Sequence, residues 1–267
     1  MKRQSVFLLC LAIACAQAPA APPRGGGSLR PTSSFSDVME RGYQLAAYQK
    51  ALAGGTPAAS KLLRAPSPKR HAIAVPSGRQ LDIRVGELDA ARQNFLVSAE
   101  ASFSAEGTWL ATPVNPPRAE PGFTAAAARA IETAQHGLTS QQRLNAAVIP
   151  SLEKQLYVYL YPAAGEPVLG PDWRFLVSPD GNTLLETRVM HEAEARPALE
   201  GKRVAAMAHR HPNEELEDSD VAFSISHQVG DLIMLPSTAA IILNESGVPN
   251  YFTSQEMQHM LDLPKAR

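Results

Sequence analysis

The chain has 267 residues, of which 45% are hydrophobic and 19% are charged, a composition typical of a globular protein. Its 25 lysines and arginines nearly balance 26 aspartates and glutamates, giving a formal net charge of −1. The chain has no basic block, which argues against a nucleic-acid-binding protein. Beyond the N-terminus no stretch approaches the length of about 18 apolar residues that a membrane span needs, so no transmembrane helix is predicted.

The first 20 residues are predicted to be a signal peptide. Two basic residues precede an apolar stretch from Val6 to Ala14, and the small residues Ala18-Pro19-Ala20 suit cleavage. A lipoprotein signal, "LAIAC", is the alternative, and it would leave the mature chain acylated on Cys15. Under both predictions the protein is exported. A cleaved signal peptide would send it to the periplasm or out of the cell, and a lipoprotein signal could anchor it in the outer membrane.

Residues 21–34 are predicted to be a disordered linker, because they are rich in Pro, Gly and Ser and contain few apolar side chains. The only two cysteines, Cys10 and Cys15, both lie in the predicted signal. The mature protein is therefore expected to form no disulfide, so its stability must come from its hydrophobic core. We expect this exported protein to be a monomer or a weak oligomer.

Residues 35–150 are predicted to form an N-terminal α+β region, with one helix followed by a β-rich unit. The first helix is expected to stop at Gly54-Gly55. Two hairpins should follow, turning at Pro76-Ser77-Gly78 and at Glu106-Gly107. An alanine-rich helix from Phe123 to His136, stopped by the next glycine, completes the β-rich unit.

Residues 151–267 are predicted to form a C-terminal region with a mixed sheet flanked by helices, so the fold class is α+β. A hairpin turning at Pro179-Asp180-Gly181 carries a strong turn signal. A short helix is expected at "DSDVAFSISHQ", and another at the C-terminus with Thr253 or Ser254 as its cap and Glu256 in a capping box. Six strands should pair in one sheet, near residues 156–161, 173–178, 183–190, 203–209, 231–235 and 239–244.

Two histidines, His209 and His211, end the predicted strand "KRVAAMAHRH" and precede an acidic run. Histidines two apart on an extended strand point to the same face, so both can bind one metal ion. Hydrolytic zinc sites use three protein ligands and one water, and Asp218 or Asp220 could supply the third ligand. The alternative is a solvated turn in which Ser219 or Asp218 caps the following helix and no metal binds.

The order of a strand, H-x-H-P, an acidic helix start and further strands resembles the JAMM (MPN/JAB) metalloprotease family over about residues 155–265. The motif of that family is a Glu on an upstream strand, followed by H-x-H-P and S-x-x-D. The resemblance implies that His209, His211 and Asp220 hold Zn²⁺ and that Glu186, in "LLETRV", is the catalytic base. For an exported enzyme of this kind, the expected substrate is a peptide or a cell-wall amide.

The chain departs from the family motif in two places. With Asp220 as the motif aspartate, Glu217 takes the position of the serine. With Ser219 as the serine, Ala222 takes the position of the aspartate. Arg210 also stands between the histidines, where the family has a small residue, and brings a positive charge near the predicted metal.

Two further alternatives stand beside the zinc hydrolase. His191 and Glu192, at the end of the predicted strand that carries Glu186, are substitutes for it as the base. The incomplete motif also favours a non-catalytic binding or scaffold protein of the cell envelope. The segments "VYLYPA", "WRFLVSPDGNTLLETRVMH" and "SDVAF" resemble uncharacterised exported proteins of Gram-negative bacteria, a likeness that implies export alone.

Overall fold

In the computed structural model of the chain, the first helix is longer than the sequence predicts. Helix α1 spans Phe35–Ser60, and Gly54 and Gly55 lie inside it. These glycines bring α1 close to the neighbouring sheet, because a Cβ atom on Gly54 would lie 2.1 Å from the indole nitrogen of Trp109. They therefore serve helix packing rather than helix termination. The structure describes residues 35–138, 144–162, 168–192, 199–200, 203–204, 216–228, 231–234, 239–244, 246–253 and 255–256.

The first sheet contains four antiparallel strands, β1 (His71–Ser77), β2 (Gln80–Leu88), β3 (Phe95–Phe103) and β4 (Trp109–Glu120), which pair in that order. Both predicted hairpins are confirmed, since Ser77 pairs with Gln80 across the first turn and Phe103 with Trp109 across the second. Gly107 in the second turn has a φ of 82°, in the left-handed region that glycine adopts without strain.

The alanine-rich helix is confirmed as α2, Phe123–His136, and it ends at Gly137 as expected. All six of its alanines are 5% exposed or less, which allows strands to pack closely against it. Gly181, with a φ of 80°, approaches the same helix so closely that a Cβ atom there would lie 2.1 Å from the carbonyl oxygen of Ala126. That turn is therefore fixed against α2.

The second sheet contains β5 (Leu144–Pro150), β6 (Leu156–Pro162), β7 (Asp172–Val177) and β8 (Leu184–His191), antiparallel and paired in that order. The hairpin predicted at Pro179-Asp180-Gly181 is confirmed as the connection between β7 and β8. Strand β5 was not expected, and it pairs with β6 from Pro150 opposite Leu156. The region boundary at residue 150 thus lies at a hairpin, and the described residues belong to one compact unit, Ser33–Arg267.

The prediction of one mixed C-terminal sheet is wrong for the described residues. Strands β11 (Asp231–Met234), β12 (Ala239–Asn244) and β13 (Pro249–Thr253) form a sheet of their own, and β9 (Leu199–Glu200) pairs with β10 (Arg203–Val204). Every strand pair in the described part of the chain is antiparallel. The reason is that each strand pairs with its neighbour in sequence, and short connections favour antiparallel pairing. The α+β fold class is confirmed.

The short helix predicted at "DSDVAFSISHQ" is confirmed as α3, Asp218–His227. Its apolar side chains Val221 and Phe223 belong to one buried cluster with Val38 of α1 and Leu243 of β12. Helix α3 therefore packs against both α1 and the C-terminal sheet.

The predicted capping box near the C-terminus is also confirmed. The backbone N–H of Thr253 donates to Glu256 Oε2 at 2.8 Å, and the N–H of Glu256 donates to Thr253 Oγ1 at 3.2 Å. Most of the helix predicted beyond it lies outside the described residues. Within the described part of the chain, no helix is long and apolar enough to cross a membrane.

Helices α1 and α2 cover opposite faces of the second sheet. Along β6, Tyr159 packs in the buried cluster that includes Leu45 of α1, whereas Val158 and Leu160 pack in the cluster that includes Ile131 of α2. Successive strand residues point to opposite faces, which accounts for this division. The face of Tyr159 is also the face against which α3 begins, because Tyr159 donates a hydrogen bond to the first residue of α3.

Candidate functional site

The face of the second sheet that α1 covers carries a row of polar side chains. Arg174 on β7 pairs with Tyr159 on β6 and with Arg188 on β8, and Asp172 pairs with His191. Residues directly opposite each other point to the same face. A register shift beside Asp172 allows Arg188 and His191, three residues apart, to share that face. Strict alternation along β8 would instead place Arg188 and His191 on opposite faces.

The N-terminus of α3 lies against this row of side chains. Glu217, Asp218, Ser219 and Asp220 are each 6% exposed or less. Glu217 and Asp220 form a capping box, in which Asp220 Oδ2 accepts a hydrogen bond of 2.9 Å from the backbone N–H of Glu217. The helix dipole also favours carboxylates at this end of a helix. Four consecutive polar residues are therefore buried in one place.

The carboxylate of Asp218, which is completely buried, is surrounded by donors. Arg41 donates to both of its oxygens at 3.0 Å, and Arg174 and Tyr159 donate to Oδ2 at 2.6 and 2.9 Å. The two guanidinium carbons also lie 5.5 and 5.7 Å from the centre of the Tyr157 ring, within cation–π range. Burial raises the pKa of Tyr159 well above its usual range, so its hydroxyl stays a donor. Asp218 is thus an anchor for α3, and its oxygens are occupied by protein donors.

The imidazole of His191 lies between two buried carboxylates. Its Nδ1 is 2.7 Å from Asp172 Oδ1, and its Nε2 is 3.1 Å from Asp220 Oδ1. Ser219 Oγ lies 3.4 Å from the same Nδ1. Burial disfavours the imidazolium, but the charges of Asp220 and Asp172 outweigh it and raise the pKa of His191 well above its usual range. The protonated imidazole is therefore favoured between these two carboxylates.

Glu217 and Arg188 form a second ion pair beside Asp220. The Arg188 Nε donates to Glu217 Oε1 at 2.9 Å, and its Nη2 donates to the same oxygen. Burial nevertheless raises the pKa of Glu217 to about 7, and the charges of Asp220 and Asp218 act in the same direction. Glu217 is the residue that occupies the serine position of the motif when Asp220 occupies the aspartate position. An ionised carboxylate there accepts hydrogen bonds and cannot donate one to an oxyanion.

The structure places two of the residues predicted for the zinc site, Asp220 and Glu186, apart from each other. Asp220 lies in the buried cluster beside His191, as just described. Glu186 lies on β8 with a side chain that is 39% exposed, and its carboxylate is 4.0 Å from Arg174 Nη2. It lies five positions before His191 along the strand, a distance of about 15 Å. His209 and His211 lie outside the described residues.

The two substitutes for Glu186 also differ in position. His191 contacts Asp220 directly, whereas Glu192 is an exposed residue just beyond the end of β8. The structure therefore brings Asp220 together with His191 and leaves Glu186 beside Arg174. Asp218, the other aspartate considered as a ligand, is held by Arg41 and Arg174 instead.

Sequence reasoning missed Asp172, Arg174 and Arg41 as parts of the cluster. A charged side chain within the apolar run "DWRFLV" is itself a signal, because strand residues flanked by buried aromatics are seldom charged unless they are paired. No local pattern connects Arg41 with an aspartate that is 177 residues away. The partner of Asp172 depends on the register shift in β8, which the sequence does not reveal.

Within the described residues, no group of three or more His, Cys, Asp and Glu side chains is arranged to hold a metal ion. His191 and Asp220 supply two such side chains at one point. Comparison of the chain with protein-family models, with curated proteins and with solved structures finds no match. The function is therefore inferred from the chemistry of these residues.

Proposed function

We propose that the mature protein is an exported zinc-dependent hydrolase of amide bonds, a peptidase or amidase, with Asp220, His209 and His211 as zinc ligands. The H-x-H-P segment and the acidic helix start support this proposal from the sequence. One structural observation supports it further: Asp220, the predicted third ligand, is completely buried with a carboxylate oxygen 3.1 Å from an imidazole nitrogen.

The side chains around Asp220 have the chemistry that zinc requires. Zinc in proteins is bound by imidazole nitrogens, carboxylate oxygens and thiolates, and the first two are present here. Oδ2 of Asp220 accepts the backbone N–H of Glu217, which fixes the rotation of the carboxylate. Oδ1 is then held on the side of His191. A ligand fixed in this way loses little conformational freedom when a metal binds.

Bound zinc would polarise an amide carbonyl and lower the pKa of a water molecule to about 7. The residues of the chain would position the reaction around it. The JAMM resemblance would make Glu186, a partly exposed carboxylate on β8, the base that takes the proton from the zinc-bound water. Ser219 supplies a hydroxyl at the N-terminus of α3, and its Oγ lies 3.4 Å from His191 Nδ1. A periplasmic location favours a peptide or a cell-wall amide as substrate.

A second candidate function, a non-catalytic envelope binding or scaffold protein, is supported by a different observation. Glu186 is paired with Arg174 at 4.0 Å, about 15 Å along β8 from the histidine that contacts Asp220. A general base must lie within hydrogen-bond reach of the proton it removes. The serine of the motif is also replaced by Glu217, so a donor to the oxyanion is missing at that position.

Zinc content and hydrolysis together test the two candidates. Purified mature protein should contain zinc in stoichiometric amount by elemental analysis, and His209→Ala/His211→Ala and Asp220→Asn should lose it. His136→Gln, which changes an exposed histidine at the end of α2, is the matched control and should keep the metal. Cleavage of peptides or peptidoglycan fragments by wild type and not by Asp220→Asn would establish the hydrolase.

Two other results would change the conclusion. Zinc that is bound without cleavage of any amide would favour the binding or scaffold protein. A wild-type protein that stays metal-free after incubation with zinc would end the zinc proposal.

A further inference from the structure

We propose that strand β8 joins two copies of this chain, by pairing antiparallel with the β8 of a second copy about a two-fold axis at Thr187. This inference goes beyond the proposed hydrolase, because the pairing involves no zinc ligand and no substrate. It concerns Leu184–His191, the last strand of the second sheet.

Strand β8 lies at the edge of its sheet in the part of the chain that the structure describes. Its eight residues pair with β7 on one side, and no other described strand pairs with it. An edge strand presents a row of backbone N–H and C=O groups to which another strand can bind. Proteins usually protect such an edge by proline, by charged side chains or by a short length.

Two other edge strands of the described sheets are protected in these ways, whereas β8 is not. Strand β4, at the edge of the first sheet, contains three prolines, and β13, at the edge of the C-terminal sheet, has five residues and begins with Pro249. Strand β8 contains no proline. Three of its apolar side chains are between 37% and 45% exposed: Leu184, Leu185 and Val189. An exposed apolar edge strand of this kind favours pairing with another strand.

The sequence of β8 is complementary to itself when two copies run antiparallel. With Thr187 opposite Thr187 of the second copy, Glu186 lies opposite Arg188 and Leu185 lies opposite Val189. The two-fold axis repeats each of these pairs, so both charges of each copy meet the opposite charge of the other. Cross-strand pairs of threonines, of opposite charges and of apolar side chains stabilise antiparallel sheets. The charges of β8 therefore favour a second copy of the same strand as the partner.

The pairing uses a regular part of the strand. From Glu186 to Val189, β8 pairs with β7 without a register shift. The side chains of Glu186 and Arg188 are 39% and 30% exposed, so both can reach across a pair of strands. Within its own chain Glu186 pairs with Arg174, and Arg188 pairs with Glu217. The interface would thus extend an existing network of charges.

Such a dimer would join two sheets of four strands into one continuous sheet. Its axis is perpendicular to the sheet, because directly opposite residues share a face. His191 lies four positions from Thr187 in each copy. The two buried clusters around His191 would therefore lie on the same side of the sheet, about 26 Å apart along the strand direction.

A single cysteine tests where the axis lies. Both cysteines of the chain lie in the predicted signal peptide, so Thr187→Cys introduces the only thiol of the mature protein. Directly opposite residues of antiparallel strands have Cβ atoms about 4.5–5.5 Å apart, close enough for a disulfide after a small adjustment. We expect mild oxidation to convert mature Thr187→Cys into a covalent dimer. The control is Thr112→Cys, which changes an exposed threonine on β4 and should stay monomeric.

Sedimentation equilibrium of the mature wild type, without metal or substrate, should show a monomer–dimer equilibrium. Leu185→Lys/Val189→Lys places lysines opposite each other in this pairing, and should raise the dissociation constant of the dimer by roughly 10-fold or more. Leu110→Lys/Thr112→Lys adds the same charge at exposed positions of β4 and should leave the dissociation constant unchanged. All four positions are exposed, so both variants should fold, which circular dichroism checks.

Three results would overturn the inference. A wild type that stays monomeric at every concentration would show that another segment of the chain, or a different partner, covers the edge of β8. A dimer that is equally stable in Leu185→Lys/Val189→Lys would place the interface elsewhere. Cross-linking of Thr187→Cys that is no faster than that of Thr112→Cys would place the axis away from Thr187. Zinc content and amide cleavage play no part in these measurements, so this inference and the proposed function fail independently.

Discussion

Arg41 on α1 donates two hydrogen bonds of 3.0 Å to the carboxylate of Asp218, which begins α3 and is 177 residues further along the chain. Arg174 and Tyr159 donate to the same carboxylate from the second sheet. The contact joins the first helix, the sheet and α3 at one buried point. Asp220 lies two residues after Asp218, so the same contact sets where the candidate metal ligand lies.

Asp218→Asn should destabilise the protein by about 3–5 kcal/mol, because it leaves two buried guanidinium groups without their carboxylate. The side chains of Arg41 and Arg174 are only 10% and 7% exposed, so water cannot replace the lost partner. Urea unfolding followed by circular dichroism would measure the change in free energy of unfolding.

The matched control is Arg118→Ala, which removes a half-exposed guanidinium that pairs with Glu100 and Glu120. Surface ion pairs contribute little, so a loss below about 1 kcal/mol is expected there. If Asp218→Asn and Arg118→Ala changed the stability equally, Asp218 would not be the anchor described above.

Gly42→Ala should also destabilise the protein, by about 1–3 kcal/mol, through overpacking between α1 and α3. A Cβ atom on Gly42 would lie 2.5 Å from the Cβ of Val221 and 3.0 Å from the carbonyl oxygen of Asp218. The substitution would otherwise favour the helix by about 1 kcal/mol, since alanine has the higher propensity. Thermal unfolding measures the outcome, and Glu40→Ala, an exposed position in the same helix, should change stability by less than about 0.5 kcal/mol. A Gly42→Ala protein with a raised Tm would show that the two helices can move apart.

Much of the secondary structure could be predicted because its signals are local. Hairpin turns with glycine at a positive φ and the alanine-rich α2 depend on residues within a few positions of one another. The prediction that the first helix ends at Gly54-Gly55 was wrong because those glycines make room for Trp109, a residue of a strand distant in sequence. The prediction of a single C-terminal sheet was wrong for a related reason, since hydrophobic alternation identifies a strand but not the strand with which it pairs.

The candidate site could be predicted only in part. The acidic helix start at Asp218 and Asp220 is visible in the sequence as a cap next to an apolar run. The selection of His191 rather than Glu186 as the neighbour of Asp220 depends on the pairing of β7 with β8 and on its register shift. A shift of one residue moves side chains to the opposite face, so the sequence pattern alone could not decide between the two.

Replacing Cys15 with Ser should leave the mature protein unchanged, because we expect cleavage at Ala18-Pro19-Ala20, downstream of that cysteine. Fractionation of cells into membrane and periplasm should give the same distribution for the variant and the wild type. Intact-mass spectrometry of the wild type should show a chain that begins near residue 21 and carries no lipid. A wild-type mass that includes a diacylglyceryl group, or a Cys15→Ser protein released from the membrane, would establish the lipoprotein instead.

The metal-free protein should lose stability as the pH rises from about 5 to above 7. Glu217 has an ordinary pKa of 4.5, and burial raises the pKa in the folded state to about 7. The folded protein therefore binds more protons than the unfolded chain in this interval, so the free energy of unfolding falls as the pH increases. The raised pKa of His191 also makes stability fall as the pH rises. Its contribution to the free energy of unfolding is fully present below about pH 6.5, the ordinary pKa of histidine, and is lost as the pH rises through the folded-state pKa.

Chelator-treated protein, unfolded by urea at a series of pH values, would measure this dependence. For Glu217 alone we expect a loss of roughly 3 kcal/mol between pH 4.5 and 7, from the linkage between pKa and stability. Glu217→Gln should flatten the curve in this interval because it cannot titrate. Arg188→Met should extend the loss to higher pH, because removal of the guanidinium beside Glu217 raises the pKa of that carboxyl further. A wild-type protein whose stability increases from pH 5 to 7 would show that Glu217 is ionised in the folded state throughout, held by Arg188 despite its burial.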